Sequence, residues 1–187
     1  MTESSSEVTE AVENAGRICN PVTEDHFTAR FWDERYRNAT QVWSGYPNPW
    51  LVREISGLEP GPALDAGCGE GADSHWLAGQ GWQVTAVDVS PIALQRGAAF
   101  TEADLADRIR WQPVDLLSWV PDRHSYQLVN AQFLRFPPAM REPLMRRLAD
   151  AVRPGGTLLI VGHHPSDLPT TIGARWSRRC GQLDRGR

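Results

Sequence analysis

The chain has 187 residues, which at the usual ~100–200 residues per domain makes one domain with a single sizeable core. Its 41% hydrophobic and 22% charged residues belong to a globular chain, not to a disordered or fibrous one. A net charge of -4 supplies no overall field toward nucleic acid or an anionic membrane, and the 19 basic residues are all arginine, which excludes mechanisms built on a lysine Schiff base or a phosphate-loop lysine.

The cysteines, Cys19, Cys68 and Cys180, are widely separated and form no CxxC pair; this predicts neither a disulfide framework nor a metal site and fits a reducing, cytoplasmic setting. Residues 1–24 are rich in Ser, Thr and Glu and have little to bury. They read as a flexible tail, with no export signal and no apolar run of membrane-spanning length. Between His26 and Arg37, Phe27, Phe31 and Trp32 follow a period of about 3.6, predicting an amphipathic helix packed on the domain. The loop at 38–49 mixes turn formers with Trp43 and Tyr46 and reads either as a lid over a ligand or as aromatic cover for the sheet. A short helix is expected over 50–56.

After the break from Gly57 to Pro62 the elements alternate. Strands are predicted at 63–66, 83–88, 109–114, 127–132 and 157–161, and helices at 72–80, 91–101 and 139–152. Ser90 is the expected N-cap of the second of these helices, and Pro154-Gly155-Gly156 the turn ahead of the last strand. Such alternation predicts an α/β fold whose parallel sheet is covered on both faces.

In Ala63-Leu64-Asp65-Ala66-Gly67-Cys68-Gly69-Glu70-Gly71 a short apolar strand runs into three glycines at alternate positions and then into a helix. Without a Cβ the backbone turns tightly and approaches a ligand within hydrogen-bonding distance, while the helix start presents unpaired N–H groups. The GxGxG spacing and the early Asp65 count against a nicotinamide-binding GxGxxG loop. Asp88 ends the second strand about 20 residues beyond the glycines, where a carboxylate accepts two ribose hydroxyls. Ligand-facing residues of such sheets lie at the carboxyl ends of strands, which makes Gln132 and Phe133 pocket candidates. His163 and His164 follow the fifth strand on the same side; they are candidate catalytic residues that accept a proton from a substrate or bind it, against the alternative that both cap the strand end. His75 and Trp76 are read as packing residues.

In combination, LDAGCGEG, VTAVDVS, VDLL at 114–117 and VRPGGTLLI at 152–160 resemble the class I S-adenosylmethionine-dependent methyltransferases over residues 26–168. With Phe31-Trp32-Asp33-Glu34-Arg35-Tyr36 and the segment 43–48, the pattern is similar to the small-molecule branch that includes tellurite-resistance and thiopurine methyltransferases. The resemblance implies a Rossmann-like doubly wound parallel sheet of order 3-2-1-4-5 and S-adenosyl-L-methionine as cofactor. By position it implies that Asp65, Gly67, Gly69 and Gly71 hold the methionine part and Asp88 the ribose hydroxyls. It also implies that Asp115 accepts from the adenine amino group between the apolar walls Val89 and Leu116, with Gln132 on the cofactor side. The plain alternative for Asp115 is a turn residue after a strand. The chain departs from that branch near Asn130 and Arg135, where its members carry an aspartate or serine and a histidine.

The organisation expected is a tail at 1–24, a cofactor-binding domain at 25–168 and a short basic tail at 169–187. Members of the family carry two further antiparallel strands beside the fifth; residues 166–187 lack the alternating apolar pattern for them, so these strands are expected to be missing. The uncovered edge of the fifth strand would then invite a homodimer. The expected activity is in-line methyl transfer to a small-molecule acceptor, the alternative being a truncated, non-catalytic nucleotide-binding remnant. Neither a membrane nor a nucleic acid is an expected partner.

Overall fold

The computed structural model describes residues 27–162. Helix α1 (Ala29–Arg37) starts where the Thr28 hydroxyl accepts from the Phe31 amide, and α2 (Pro49–Glu54) where the Asn48 side chain accepts from the Trp50 amide, with Pro49 supplying a preset first turn. Then follow β1 (Pro62–Ala66), α3 (Ala72–Gly79), β2 (Gln83–Asp88), α4 (Pro91–Phe100), a short 3-10 turn, β3 (Ile109–Pro113), β4 (Tyr126–Gln132), α5 (Pro138–Ala151) and β5 (Val152–Val161). The predicted cap is present: Ser90 Oγ accepts from the Ala93 amide at 3.2 Å. Pro143 lies inside α5. It withdraws one N–H from the helix ladder, and the helix continues because Leu144, Leu148 and Ala151 bury their side chains against the sheet.

The five strands pair in parallel in the order β3-β2-β1-β4-β5, as expected of a doubly wound sheet. The order reverses between β1 and β4, and ligands of such sheets bind in the crevice beyond the carboxyl ends at that point. Most boundaries fall within two residues of the sequence reading, and the start of β5 differs by five. β5 begins at Val152, ahead of Pro154-Gly155-Gly156. Tyr126 pairs with Val152 while Leu128, two residues on, pairs with Thr157, five residues on, so three extra residues bulge out of β5. Gly155, at φ +79°, supplies the bend. A Pro-Gly-Gly run reads as a turn in one dimension, whereas here the neighbouring strand absorbs it as a bulge.

Side chains alternate across each strand, and the alternation sorts the core. Ala63, Val84, Ala86 and Leu128 join Leu51, Ile55, Leu77 and Trp82 on one face, while Leu64, Ala66, Val87, Val129 and Ala131 meet Leu144, Leu148 and Ala151 of α5 on the other. Continuing the first face toward the crevice, the next positions are Asp65, Asp88, Asn130 and, one step further, Gln132. The same face is therefore apolar at the amino ends of the strands and polar at the carboxyl ends.

Among the described residues β5 is a sheet edge, and Ile160 on it is 51% exposed. No helix there is long and apolar enough to cross a membrane, and no three His, Cys, Asp or Glu side chains group as a metal site requires. The readings made for the tails at 1–24 and 169–187, and for the strands expected beyond β5, lie outside the described residues.

Candidate functional site

The loop after β1 is tied to β2. The amides of Gly67 and Cys68 both donate to the Val87 carbonyl, at 2.8 and 3.0 Å, and the Gly71 amide donates to the Cys68 carbonyl at 2.9 Å. The Gly69 amide donates to Asp88 Oδ2 at 2.9 Å. These four N–H groups are spent inside the protein, and the side-chain direction of each glycine is taken by a neighbour: Leu134 at Gly67, Tyr36 and Trp43 at Gly69, Trp111 at Gly71. Gly69, at φ +55°, shows why the position is glycine: a Cβ there would stand 3.0 Å from Tyr36 Oη and 3.1 Å from Trp43 Nε1. At Gly71, φ +83°, a Cβ would overlap the Trp111 ring of β3.

Asp88 ends β2, buried, with Oδ1 accepting from the Ser90 amide and Oδ2 from the Gly69 amide, both at 2.9 Å. Each carboxylate oxygen keeps a second lone pair for the crevice. Burial raises its pKa above the ordinary value, and the Ser90 and Gly69 amides work against that rise. The carboxylate is thus oriented by backbone before any ligand arrives.

Over this loop lies α1 with the segment that follows it. Ser90 Oγ donates to Asp33 Oδ1 at 2.5 Å. The Arg96 guanidinium donates to the carbonyls of Tyr36, Ala39 and Thr40, and to Glu70 Oε1 at 3.0 Å. The second Glu70 oxygen accepts the amides of Val42 and Trp43 at 3.1 and 3.2 Å. An Arg96–Glu70 pair therefore pins residues 36–43 onto the glycine loop. The Trp43 indole donates to Tyr36 Oη at 2.9 Å, and Trp32 packs against both rings. Phe27 meets Phe136 from beyond β4 at 5.3 Å between centroids, so the aromatic roof spans from α4 to the loop after β4. Burial, and then the Asp88 charge, push the Tyr36 phenol well above its usual pKa. Within the 38–49 loop Trp43 packs over the glycine loop, whereas Tyr46, at 80% exposure, covers nothing.

Beside the loop a polar cluster is buried between β1, β4 and α3. Asp65 Oδ2 accepts from Ser74 Oγ at 2.6 Å, and Asp65 Oδ1 from Asn130 Nδ2 at 3.0 Å. Asp73 Oδ1 accepts the Asn48 amide at 2.7 Å; its Oδ2 accepts from Asn130 Nδ2 at 3.2 Å and from Gln132 Nε2 at 2.7 Å. Burial and the neighbouring Asp73 raise the Asp65 pKa to about 7, with the Ser74 and Asn130 hydrogen bonds opposing. Asp65 thus ties β1 to β4 and α3 through these two hydrogen bonds.

On the adenine side, Asp115 is exposed and its Oδ1 accepts the Leu117 amide at 2.9 Å, the turn arrangement kept open as its alternative. Leu116 is buried and Val89 half-buried, and Arg147 of α5 holds the carbonyls of Leu116 and Leu117 at 2.8 and 3.0 Å. Gln132 and Phe133 close β4. Phe133 takes φ +52°, a left-handed conformation costly for a bulky residue and concentrated at ligand sites. His75 packs, as read: its Nε2 meets the Gly97 carbonyl at 2.9 Å and its ring lies edge-on to Trp111. His163 and His164 lie outside the described residues.

Sequence reasoning passed over Tyr36, Glu70, Asp73 and Arg96. Tyr36 stood in the segment that carried the family resemblance, and Asp73 in the first turn after the glycines. Glu70 and Arg96 showed nothing, since their pairing spans 26 residues.

At the carboxyl end of β2 Asp88 keeps lone pairs for hydroxyl donors.

The family model for the methyltransferase domain matches residues 63–156, from β1 into β5. The chain belongs to this methyltransferase family. Trans-aconitate 2-methyltransferase of Rhizobium meliloti is 33% identical over 147 residues, 77% of this chain and 51% of the relative. Thiopurine S-methyltransferase of Gluconobacter oxydans is 39% identical over 90 residues, 44% and 38% of the two chains. Among solved structures, the DhpI-SAM-HEP complex superposes with a TM-score of 0.61 at 20% identity over 79% of this chain and 72% of the other, a likeness of fold. The chain spans about half the length of the curated relatives it matches, from 33% to 64%. In this methyltransferase domain the matched span holds β1 to β4 and part of β5, while the roof formed by α1 precedes it.

Proposed function

We propose that the protein is an S-adenosylmethionine-dependent methyltransferase acting on a small molecule. The observation that carries the reading is Asp88, oriented by two backbone amides at the carboxyl end of β2 and adjoining the glycine loop at the reversal of strand order. Bound there, the cofactor supplies an electrophilic sulfonium methyl group. Asp88 takes the ribose hydroxyls, Val89 and Leu116 wall the adenine, and the exposed Asp115 carboxylate accepts from the adenine amine with its remaining lone pairs. Gly67, Gly69 and Gly71 let the amino-acid end lie close to backbone, with Gln132 beside it. The roof of Trp32, Tyr36 and Trp43 excludes water and holds two reactants in line, which is the main catalytic contribution for such a displacement.

A small acceptor is supported by the substrates for which the trans-aconitate and thiopurine relatives are named and by a roof pinned down on the glycine loop. A thiol acceptor needs little help from a base; for a hydroxyl or amine, His163 and His164, after the end of β5, are the proposed general bases. A homodimer along the β5 edge is a further part of the proposal, supported by the exposure of Ile160 and read by light scattering.

Calorimetric titration with S-adenosylhomocysteine, with NAD as control, tests the reading. Wild type is expected to bind in about the micromolar range. Asp88→Ala should lose about ten- to hundredfold, as expected of two charge-assisted hydrogen bonds. S-adenosylhomocysteine release against thiols, carboxylic acids and an RNA control then identifies the acceptor. A folded chain that binds no S-adenosylhomocysteine would sink the proposal.

A further inference from the structure

A cleft of about 340 Å³ opens on the flank of α3. Its walls include Gly45 and Pro47 of the loop before α2, His75 and Trp76 of α3, and Phe100 and Glu102 at the end of α4. None of these residues is assigned above to the cofactor crevice.

The polarity of His75 is fixed by its neighbours. Its Nε2 stands 2.9 Å from the Gly97 carbonyl and 3.2 Å from Thr101 Oγ1, while the Thr101 hydroxyl gives its own hydrogen to the same carbonyl at 2.9 Å. Both neighbours are therefore acceptors toward the ring, and the ring hydrogen sits on Nε2. In the neutral imidazole Nδ1 keeps a lone pair, and among the described residues no donor meets it. Nor is Nδ1 one of the buried atoms that lack a partner, so it reaches solvent, and the cleft is the opening that His75 borders.

Around that acceptor the walls are aromatic and the rim is anionic. Trp76 is half-buried, Phe100 is 72% exposed, and the exposed Tyr46 lies between Gly45 and Pro47. Rings left in water at the mouth of a cleft are stabilised when the face of a ligand covers them. The Glu102 carboxylate joins none of the ion pairs among the described residues, and no arginine there borders the cleft. An open acceptor, aromatic walls and an unpaired carboxylate are matched together by a flat ring that carries an N–H donor and a cationic arm.

We propose that this cleft is a second ligand site, one for a planar aromatic amine: the ring against Trp76 and Phe100, its N–H on His75 Nδ1 and its ammonium group on Glu102. A neutral ring of the same shape leaves Glu102 unpaired and an anionic one is repelled by it, so charge selects the ligand. The site shares no residue with the crevice and stands whether or not the crevice takes S-adenosylmethionine.

Tryptamine is the probe, with the neutral indole-3-ethanol and the anionic indole-3-acetate as controls. Each is titrated calorimetrically into the full chain, with and without saturating S-adenosylhomocysteine. Wild type is expected to bind tryptamine at about 0.1–1 mM, to prefer it at least about fivefold over the alcohol, and to bind the acid more weakly still. Glu102→Gln and Phe100→Ala change exposed positions and should leave the fold intact, as melting curves check. Glu102→Gln should bring the preference for amine over alcohol toward one, whereas Phe100→Ala should weaken both by about threefold or more. Both variants should bind S-adenosylhomocysteine within about twofold of wild type, and that ligand should not displace tryptamine. Equal affinity for the three indoles, or no binding of tryptamine at about 10 mM, would overturn the assignment without any variant. Tryptamine binding that ignores both substitutions, or that S-adenosylhomocysteine abolishes, would place the amine in the crevice and overturn it equally.

Discussion

Gly69 concentrates several demands at one atom. Its φ of +55° lies in the left-handed region, its amide orients Asp88, and the space where a side chain would begin is bordered by Tyr36 Oη and Trp43 Nε1. Gly69→Ala is expected to cost about 1–2 kcal/mol through the backbone alone, and to push the Tyr36–Trp43 pair off the loop. Thermal melts read the first effect, and a red shift of tryptophan emission the second; an unshifted spectrum in a destabilised variant would separate backbone strain from roof displacement. At this scale the sequence was informative where one residue has one reason. The glycines, Asp88 and the Ser90 cap were legible because conformational freedom, strand-end position and helix start are local properties. Asp65 was legible as an acid at a strand end, whereas its hydrogen bond with Asn130, 65 residues away, leaves no mark in a local pattern.

Between elements, the contact most exposed to test is the one that fastens the roof. Arg96 of α4 and Glu70 of the glycine loop are largely buried, and together they take three carbonyls and two amides from residues 36–43. Breaking a buried pair by removing one partner strands the other charge, so Arg96→Met should destabilise the protein by about 3–5 kcal/mol if the roof stays closed, and by less if it opens and hydrates Glu70. Limited proteolysis distinguishes the two. Faster cleavage within 38–48 at a small loss of melting temperature means an opened roof, and the KM for any identified acceptor should then rise more than kcat falls. The alternation of strands and helices was readable from hydrophobic periodicity to within a few residues at most boundaries. The start of β5 was not, because pairing with β4 decides whether Pro154-Gly155-Gly156 is a turn or a bulge, and pairing is absent from a local pattern. The roof was readable as a helix but not as a fastened one.

For the molecule as a whole, the buried carboxyl groups predict an unusual dependence of stability on pH. Burial and the neighbouring Asp73 raise Asp65 to about 7 from an ordinary 3.8, and burial raises Asp73 and Asp88 as well. A carboxyl group whose pKa is higher folded than unfolded keeps its proton in the native state after the unfolded chain has lost it. The native state then binds more protons, and stability falls as pH rises from about 4, levelling off above about 7. At about 1.4 kcal/mol per pH unit, the Asp65 rise alone corresponds to about 4 kcal/mol, shared with Asp73 because the two titrate together. The melting temperature should therefore be higher at pH 5.5 than at pH 8. Asp65→Asn should flatten that profile, since an amide at 65 accepts from Asn130 and donates to Ser74 without a charge to bury. A variant that kept the wild-type dependence on pH would mean that a group other than Asp65 holds the proton that stabilises the native state.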